Sequence, residues 1–212
     1  MLRAENISFS FDYPLFSNID LQVEPRESIA ILGVSGSGKS TLLHILASFQ
    51  KPQQGRVIML GEDLYSASAA KLGSFRRNTI GLIFQHHYLF RGFSALENLV
   101  VAALLSRESI DNALLERLGI AHILEQDAMN LSGGQQQRLS IARVLTKKPK
   151  LVFADEPTGN LDRHNALEVT NILYDYAERE NAALFLVTHD ETIATAATRA
   201  YRLENGALTQ IK

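Results

Sequence analysis

The segment 33–41 reads Gly-Val-Ser-Gly-Ser-Gly-Lys-Ser-Thr and constrains the fold more than any other part of the chain. It fits the phosphate-binding loop pattern, in which a glycine, four residues of any type and Gly-Lys-Ser or Gly-Lys-Thr follow one another. The apolar run 28–32 before it has the length of a strand, and residues 42–47 after it have helical spacing. A strand, a glycine-rich loop and a helix in this order predict a site for a phosphorylated ligand.

Each residue type in this loop supports the prediction. Gly36 and Gly38 let the backbone turn tightly enough to point successive N–H groups at phosphate oxygens. Lys39, where the helix begins, is expected to reach the terminal phosphates, and the Ser40 hydroxyl is expected to ligate Mg²⁺, which prefers oxygen. The predicted nucleotide-binding residues of the loop are Gly33, Val34, Ser35, Gly36, Ser37, Gly38, Lys39, Ser40 and Thr41.

Composition limits the classes of partner. The chain has 212 residues, of which 46% are hydrophobic, enough for one sizeable core. Its 21 basic and 23 acidic residues give a net charge of −2, which disfavours nucleic acid as a partner. Cysteine is absent, which suits the cytosol, and no apolar run approaches the roughly 18 residues that span a bilayer. Any membrane link is therefore expected to come through a partner.

The order of the apolar segments predicts an α/β fold. Alternation at 7–11 and 19–23 predicts a small antiparallel β region, and helical intervals from 86 to about 131 predict a helical insert. Further strands are predicted at 55–61, 80–84, 151–154 and 183–188, further helices at 135–145 and about 164–179, and a hairpin at 200–211. Strand–helix–strand alternation implies a parallel sheet.

Polar residues follow two of these strands. Asp155 stands where P-loop ATPases hold Mg²⁺ indirectly, and Glu156 comes one residue later. A carboxylate next to the terminal phosphate can orient and deprotonate water, and His189, after the strand 183–188, can contact the same phosphate. These residues predict hydrolysis of the nucleotide.

Two features leave alternatives open. Phe9, Phe11 and Tyr13 are two residues apart, so on a strand their side chains would point to the same face. They form either a buried strand face or a surface on which a base stacks, with Phe11 preferred over Tyr13 for stacking. His86 and His87 are potential metal ligands, but adjacent residues of an extended segment point in opposite directions. No acidic residue or further histidine stands at a spacing that would complete a metal site with them. We interpret both histidines as surface or interface residues.

The chain resembles the ATP-binding subunits of ABC transporters throughout its length. The stretch 131–135, Leu-Ser-Gly-Gly-Gln, is similar to their signature sequence and is the most discriminating motif. Residues 33–41 resemble Walker A, Gln85 the Q-loop glutamine, 151–155 with Glu156 Walker B and its catalytic glutamate, 160–162 the D-loop, and His189 the switch histidine. Phe11 stands where the family usually has a tyrosine that stacks on adenine.

This resemblance implies a P-loop NTPase of the ABC type, with a mostly parallel core sheet, an antiparallel β subdomain and a helical subdomain. It implies one domain over 1–212, with the helical subdomain inserted at about 86–148. The implied activity is hydrolysis of ATP with Mg²⁺, catalysed by Glu156, His189 and Gln85. Ser40, Gln85 and Asp155 are the implied metal residues. Two copies would pair head to tail, and the residues that contact the nucleotide of the other copy would be Ser132, Gly133, Gly134, Gln135 and Asp162.

Residues 154–162 and 94–98 resemble the group of lipoprotein-releasing, macrolide-export and cell-division ATPases. This implies a separate permease subunit, export or lipoprotein or peptide release, and a peripheral position on the cytoplasmic face of the inner membrane. A regulatory ATPase that signals through a membrane partner without transport is the alternative. Repair relatives need a long coiled coil and translation relatives usually carry two ATPase domains, so 212 residues disfavour both.

The segment 85–98 is rich in aromatic residues for a stretch between a strand and a helix. Tyr88, Leu89, Phe90 and Phe93 have two interpretations. They complete the core of the helical region, as most clustered apolar residues do, or they line a groove that receives a cytoplasmic helix of the permease.

Overall fold

The structure, a computed structural model, describes residues 1–159 and 161–212. Asn160, the first residue of the predicted D-loop, lies outside the described residues. The strands are β1 (Leu2–Ser10), β2 (Pro14–Val23), β3 (Ser28–Leu32), β4 (Gln54–Met59), β5 (Glu62–Asp63), β6 (Ile80–Ile83), β7 (Leu151–Asp155), β8 (Ala183–Thr188), β9 (Arg199–Glu204) and β10 (Ala207–Gln210). The helices are α1 (Lys39–Leu46), α2 (Ala69–Asn78), α3 (Ala95–Ser106), α4 (Asn112–Arg117), α5 (Gly133–Leu145), α6 (Arg163–Arg179) and α7 (Glu191–Ala196).

Two sheets form the framework. The core sheet has the order β10-β9-β3-β8-β7-β6, and every pair in it is parallel except the hairpin of β9 and β10. The second sheet is antiparallel, with the order β2-β1-β4-β5. Strands β3, β7 and β8 are buried along their whole length, as expected for parallel strands covered on both faces.

The core lies on both sides of the parallel sheet. On one side, α1 and the antiparallel sheet pack against it, and the rings of Phe153 and Phe185 from β7 and β8 stack at 5.2 Å between centroids. On the other side, apolar residues of α3, α5 and α6 form a second cluster with β7 and β8. The strands that carry the predicted site residues are therefore held from both faces.

The predicted α/β class, with a mostly parallel core sheet, an antiparallel sheet and helices, is confirmed. Strand β1 extends further toward the N-terminus than the predicted strand 7–11 and ends before Phe11. Helices α2 and α7 were not predicted, because α2 buries only Phe75 and α7 has six residues, so neither has an apolar stripe that stands out in the sequence. The helical subdomain boundaries at about 86–148 stay a prediction.

None of the described helices combines the length and the apolar composition that crossing a membrane requires.

Gly81 of β6 should not tolerate a larger side chain. A Cβ atom there would lie 2.7 Å from Val144 Cγ1 of α5 and 2.7 Å from Pro149 Cγ. We expect Gly81→Ala to lower the free energy of unfolding by about 1–3 kcal/mol, the usual cost of overpacking. Gly73→Ala is the matched control, because a Cβ in α2 meets nothing within 4 Å, and it should stabilise by roughly 0.5–1 kcal/mol. Urea unfolding measures both, and equal stabilities would contradict this account of β6 packing.

Candidate nucleotide-binding and catalytic site

The glycine-rich loop joins the end of β3 to the start of α1. Gly36 and Gly38 have φ angles of 78° and 97°, which a side chain rarely allows. Gly38 is the N-cap of α1 and offers no side-chain hydrogen bond to the helix. The first N–H groups of α1 consequently have no capping side chain, which is the arrangement that binds an anion at a helix N-terminus.

Lys39 lies against this loop. Its side chain is buried, and Nζ donates to the carbonyl oxygens of Gly33 and Val34, both at 2.8 Å. Both acceptors are neutral, and Lys39 forms no ion pair with any described residue. A buried ammonium without a carboxylate partner is well suited to a phosphate.

Ser40 and Asp155 bring oxygen atoms together from α1 and β7. Ser40 Oγ donates to Asp155 Oδ1 at 2.9 Å, and Asp155 is buried at the end of its strand. Gln85, just after β6, lines the same cleft. The hydroxyl, carboxylate and amide are all oxygen donors, which fit Mg²⁺. The described residues contain no group of three or more His, Cys, Asp or Glu arranged to hold a metal ion, so a cation held here would take its other ligands from phosphate and water.

Glu156 and His189 meet at the ends of β7 and β8. Glu156 has a φ of 46°, and its N–H donates to the carbonyl oxygen of Val187 at 3.0 Å, which holds this turn against β8. Its Oε2 is 2.8 Å from His189 Nδ1. The Glu156 side chain is mostly buried and His189 is mostly exposed. This pair places a carboxylate and an imidazole at one edge of the sheet, where ligands bind in open α/β folds.

Lys39, Ser40, Gln85, Glu156 and His189 line one cleft of about 470 Å³, a volume typical of small-molecule sites. Asp155 lies behind this lining and bonds Ser40. Phe11 and Tyr13 lie at the cleft and are 58% and 60% exposed, so they do not form a buried strand face. The Phe11 ring packs edge-on against Phe9 at 5.1 Å between centroids. The cleft residues that the sequence predicted are Phe11, Ser35, Gly36, Gly38, Lys39, Ser40, Thr41, Gln85, Glu156 and His189.

The signature residues lie outside this cleft, at the start of α5. Ser132 is the N-cap and forms a capping box with Gln135, in which each side chain accepts a hydrogen bond from the other residue's N–H. Ser132 and Gly133 are exposed. A Cβ at Gly134 would lie 3.1 Å from Leu161 Cδ2, so the signature and the D-loop touch. The predicted contact of these residues with the nucleotide of a second copy stays a prediction.

Asp162 begins α6. Its side chain accepts hydrogen bonds from the N–H groups of His164 and Asn165, and the bonds to Asn165 hold the pKa of Asp162 below its ordinary value. The carboxylate is therefore charged near neutral pH and fixed by the helix that it caps.

His87 makes a contact that the sequence did not indicate. His86 is exposed, but His87 is only partly exposed and its Nδ1 lies 2.6 Å from Gln137 Oε1 of α5. Gln137 is 1% exposed and also bonds the carbonyl oxygen of Pro157. Sequence reasoning missed Gln137, because it ends a polar run of three glutamines; the only available signal was its helical spacing from the apolar Ile141 and Val144.

Comparisons with known proteins agree with this geometry. Residues 16–159 match the family model described as ABC transporter. The chain is 42% identical over 200 residues to "Lipoprotein-releasing system ATP-binding protein LolD" of Shewanella oneidensis, with 92% of this chain and 87% of that protein covered. It is 40% identical to the LolD protein of Pseudomonas syringae pv. tomato, with 99% and 97% covered. A solved dimeric structure, of a post-hydrolysis state of the ATP-binding cassette MJ0796 bound to ADP and Pi, is 27% identical, with a TM-score of 0.89 and 100% and 99% covered.

Proposed function

We propose, on the premise that the chain belongs to the ABC transporter family of ATP-binding subunits, that it hydrolyses ATP to drive a separate membrane permease. The observation that carries the proposal is the convergence on one cleft of Lys39, of Ser40 with its bond to Asp155, and of the Glu156–His189 pair. Relatives at about 40% identity over nearly the whole chain are named for lipoprotein release. Release of a lipoprotein or a peptide is the transport that we assign to the complex.

The nucleotide would bind with its phosphates at the start of α1. Lys39 would exchange its bonds to loop carbonyls for bonds to the terminal phosphates, because a charged acceptor binds an ammonium more strongly than a neutral one. Phe11 would stack on the base, and Tyr13 at the same cleft is the other aromatic residue within reach. Ser40, Asp155 and Gln85 would hold Mg²⁺, which would neutralise the phosphate charge.

Glu156 would activate the water that attacks the terminal phosphate. Its carboxylate lies in the cleft, and its main chain is fixed by the bond to Val187. The hydrogen bond from His189 orients the carboxylate, and the exposed imidazole can turn toward the phosphate. Separate residues would therefore bind the phosphates and activate the water.

A second copy of the chain would complete the site. The exposed Ser132 and Gly133 lie outside the cleft of their own chain, so they are available to the nucleotide of a partner. The dimeric MJ0796 structure is bound to ADP and Pi, and this chain matches that fold over its whole length. Closure would depend on the terminal phosphate and hydrolysis would release it, which gives a cycle that a permease can convert into movement.

The docking surface for the permease would be the groove between α2, α3 and α5, which has a volume of about 490 Å³. We call it the basic groove, because its apolar floor, with Phe90 and Leu105, is lined by four cationic side chains. These are Arg76, Arg77, Arg143 and Lys147. None of the four forms an ion pair with another described residue.

The chemistry of the basic groove selects its occupant. Apolar surface and cations without a carboxylate partner among the described residues together fit an amphipathic helix with carboxylates on its polar side. We assign this helix to a cytoplasmic segment of the permease, which would place the chain on the cytoplasmic face of the membrane. Tyr88 and Phe90 line the groove, whereas Leu89 is buried and Phe93 lies outside the lining while packing on Phe90 at 5.6 Å. The aromatic segment therefore supplies both core and surface.

Glu156→Gln should abolish turnover and keep ATP bound. The amide preserves the shape of the side chain but cannot accept a proton from water, so kcat should fall about 100-fold or more. A dimer stable in ATP should accumulate on gel filtration. Glu125→Gln, at an exposed carboxylate outside the cleft, is the control and should turn over normally. Normal turnover in Glu156→Gln would remove the role assigned to Glu156.

Ser132→Arg should block hydrolysis without emptying the site, because the signature acts on nucleotide held by the other copy. Lys39→Ala should instead weaken ATP binding itself, because it removes the buried cation of the phosphate loop. Binding of labelled nucleotide and ATPase rates separate the two effects. Ser94→Arg controls for lost capping, since Ser94 forms the same capping box at the start of α3. Equal loss of binding in Ser132→Arg and Lys39→Ala would contradict this division of roles.

Replacing Phe90 and Phe93 by alanine should prevent permease co-purification while the ATPase rate of the isolated chain holds. Arg77→Glu should do the same, because it repels a carboxylate; Arg26→Glu, at an exposed loop position, is the charge-matched control. A collapse of melting temperature in the double alanine variant would instead assign both rings to the core.

Burial lowers the pKa of Lys147 to about 8, so Lys147 loses its charge as pH rises through that value and docking should weaken.

A further inference from the structure

The buried carboxamide of Gln137 connects two segments that are far apart in sequence. Its Nε2 donates to the carbonyl oxygen of Pro157 at 2.7 Å, and its Oε1 lies 2.6 Å from His87 Nδ1. The side chain is 1% exposed, so water cannot replace either partner. One side chain of α5 thus satisfies both its donor and its acceptor on two different loops.

The direction of each hydrogen bond is fixed by the chemistry of the partners. A carbonyl oxygen only accepts, so the NH₂ group of Gln137 must face Pro157. The carboxamide oxygen then faces His87, and His87 must donate from Nδ1. The His87 ring is therefore held as the Nδ1–H form, and neither bond can reverse without breaking the other.

The two loops belong to the two functional surfaces. Pro157 directly follows Glu156, whose main chain is tied to Val187. His87 directly precedes Tyr88 in the basic groove, and its own carbonyl oxygen accepts a bond from Arg143 Nη2 at 3.2 Å. His87 is therefore bonded to α5 twice, by its side chain to Gln137 and by its carbonyl oxygen to Arg143. Because Gln137 also bonds Pro157, it connects the segment 87–90 to the turn that carries Glu156.

We propose that Gln137 is a positioning residue that makes the position of the Glu156–Pro157 turn and the position of the groove segment 87–90 depend on each other. A movement of either segment must carry the Gln137 side chain with it or leave a buried polar group unpaired. Nucleotide at the cleft and a partner in the groove would then bias one another equally. The inference uses the ATP site of the proposed function, but it does not require that the permease be identified.

The chain contains no tryptophan, which allows a single reporter. Tyr88 is 63% exposed in the groove, so Tyr88→Trp places one indole next to His87. We expect ATP to change its emission. Adding Gln137→Met, which keeps the length of the side chain but removes both hydrogen bonds, should abolish the change and lower kcat about tenfold or more by misplacing Glu156. The ATP dissociation constant, measured with labelled nucleotide, should stay within about twofold, because Gln137 does not touch the cleft.

Three further variants in the reporter background separate positioning from general damage. Gln136→Met is the matched control, because Gln136 is the preceding residue of α5 and bonds only the local carbonyl oxygens of Met129 and Leu131. It should keep both the ATP response and the rate. His87→Leu should lose the response, whereas His87→Asn, whose amide can donate from the place of Nδ1, should retain it. His87 is a loop residue outside the core, so these two variants test the connection even if Gln137→Met unfolds.

The outcomes decide the proposal. An ATP response that persists in both Gln137→Met and His87→Leu would overturn it, and so would a parent reporter that binds ATP without any change in emission. Failure to bind ATP in the parent would instead refute the proposed function. Failure of permease docking with an intact reporter response would refute only the assignment of the groove occupant.

Discussion

The pairing of β8 with both of its neighbours is the interaction on which the site depends. Leu32 at the end of β3 pairs with Thr188, and Asp155 at the end of β7 pairs with Val187, so three strands end at one level of the sheet. The phosphate loop, the carboxylates and His189 all begin at that edge. Because side chains alternate along a strand, a register slip of one residue would turn them to the opposite face. Packing of the three strands on both faces holds this register. Phe11, Tyr13 and Gln85 from other parts of the chain complete the cleft.

One of the positive φ angles of the described residues lies where β7 leaves this sheet, at Glu156. Glu156 has a positive φ that a side chain rarely adopts, and it is retained because the N–H bonds Val187 and the following turn bonds Gln137. At this φ the backbone turns away from the direction of β7, and the Glu156 carboxylate lies in the cleft. Gly38 accommodates a φ of 97° without a side chain, and a Cβ there would lie 2.7 Å from Leu15 Cγ. The loop can therefore pass close to the antiparallel sheet.

Local sequence determines the part of the site that could be predicted. The phosphate loop, the signature and the residues after β7 and β8 are contiguous segments whose turn and capping chemistry is visible in the sequence, and Ser132 with Gln135 forms the capping box that this spacing favours. The bond between His87 and Gln137 joins residues 50 positions apart, so no local pattern announces it. The grouping of four cations in the basic groove is hidden for the same reason, because they come from two helices and the turn after α5. Motifs predicted the chemistry, and only the tertiary structure reveals how its parts are connected.

The glycine-rich starts of α1 and α5 differ in their capping, and this difference indicates which of them binds phosphate first. Helix α1 has no side-chain cap, so its first N–H groups are open to an anion, and Lys39 adds a positive charge beside them. Helix α5 is already capped by its own Ser132 and Gln135. Its first turn therefore offers fewer free N–H donors than the first turn of α1. The first site therefore has more to gain from a phosphate than the second. Nucleotide should bind to the α1 loop of one chain first, and the α5 start of another chain should add to a phosphate that is already held.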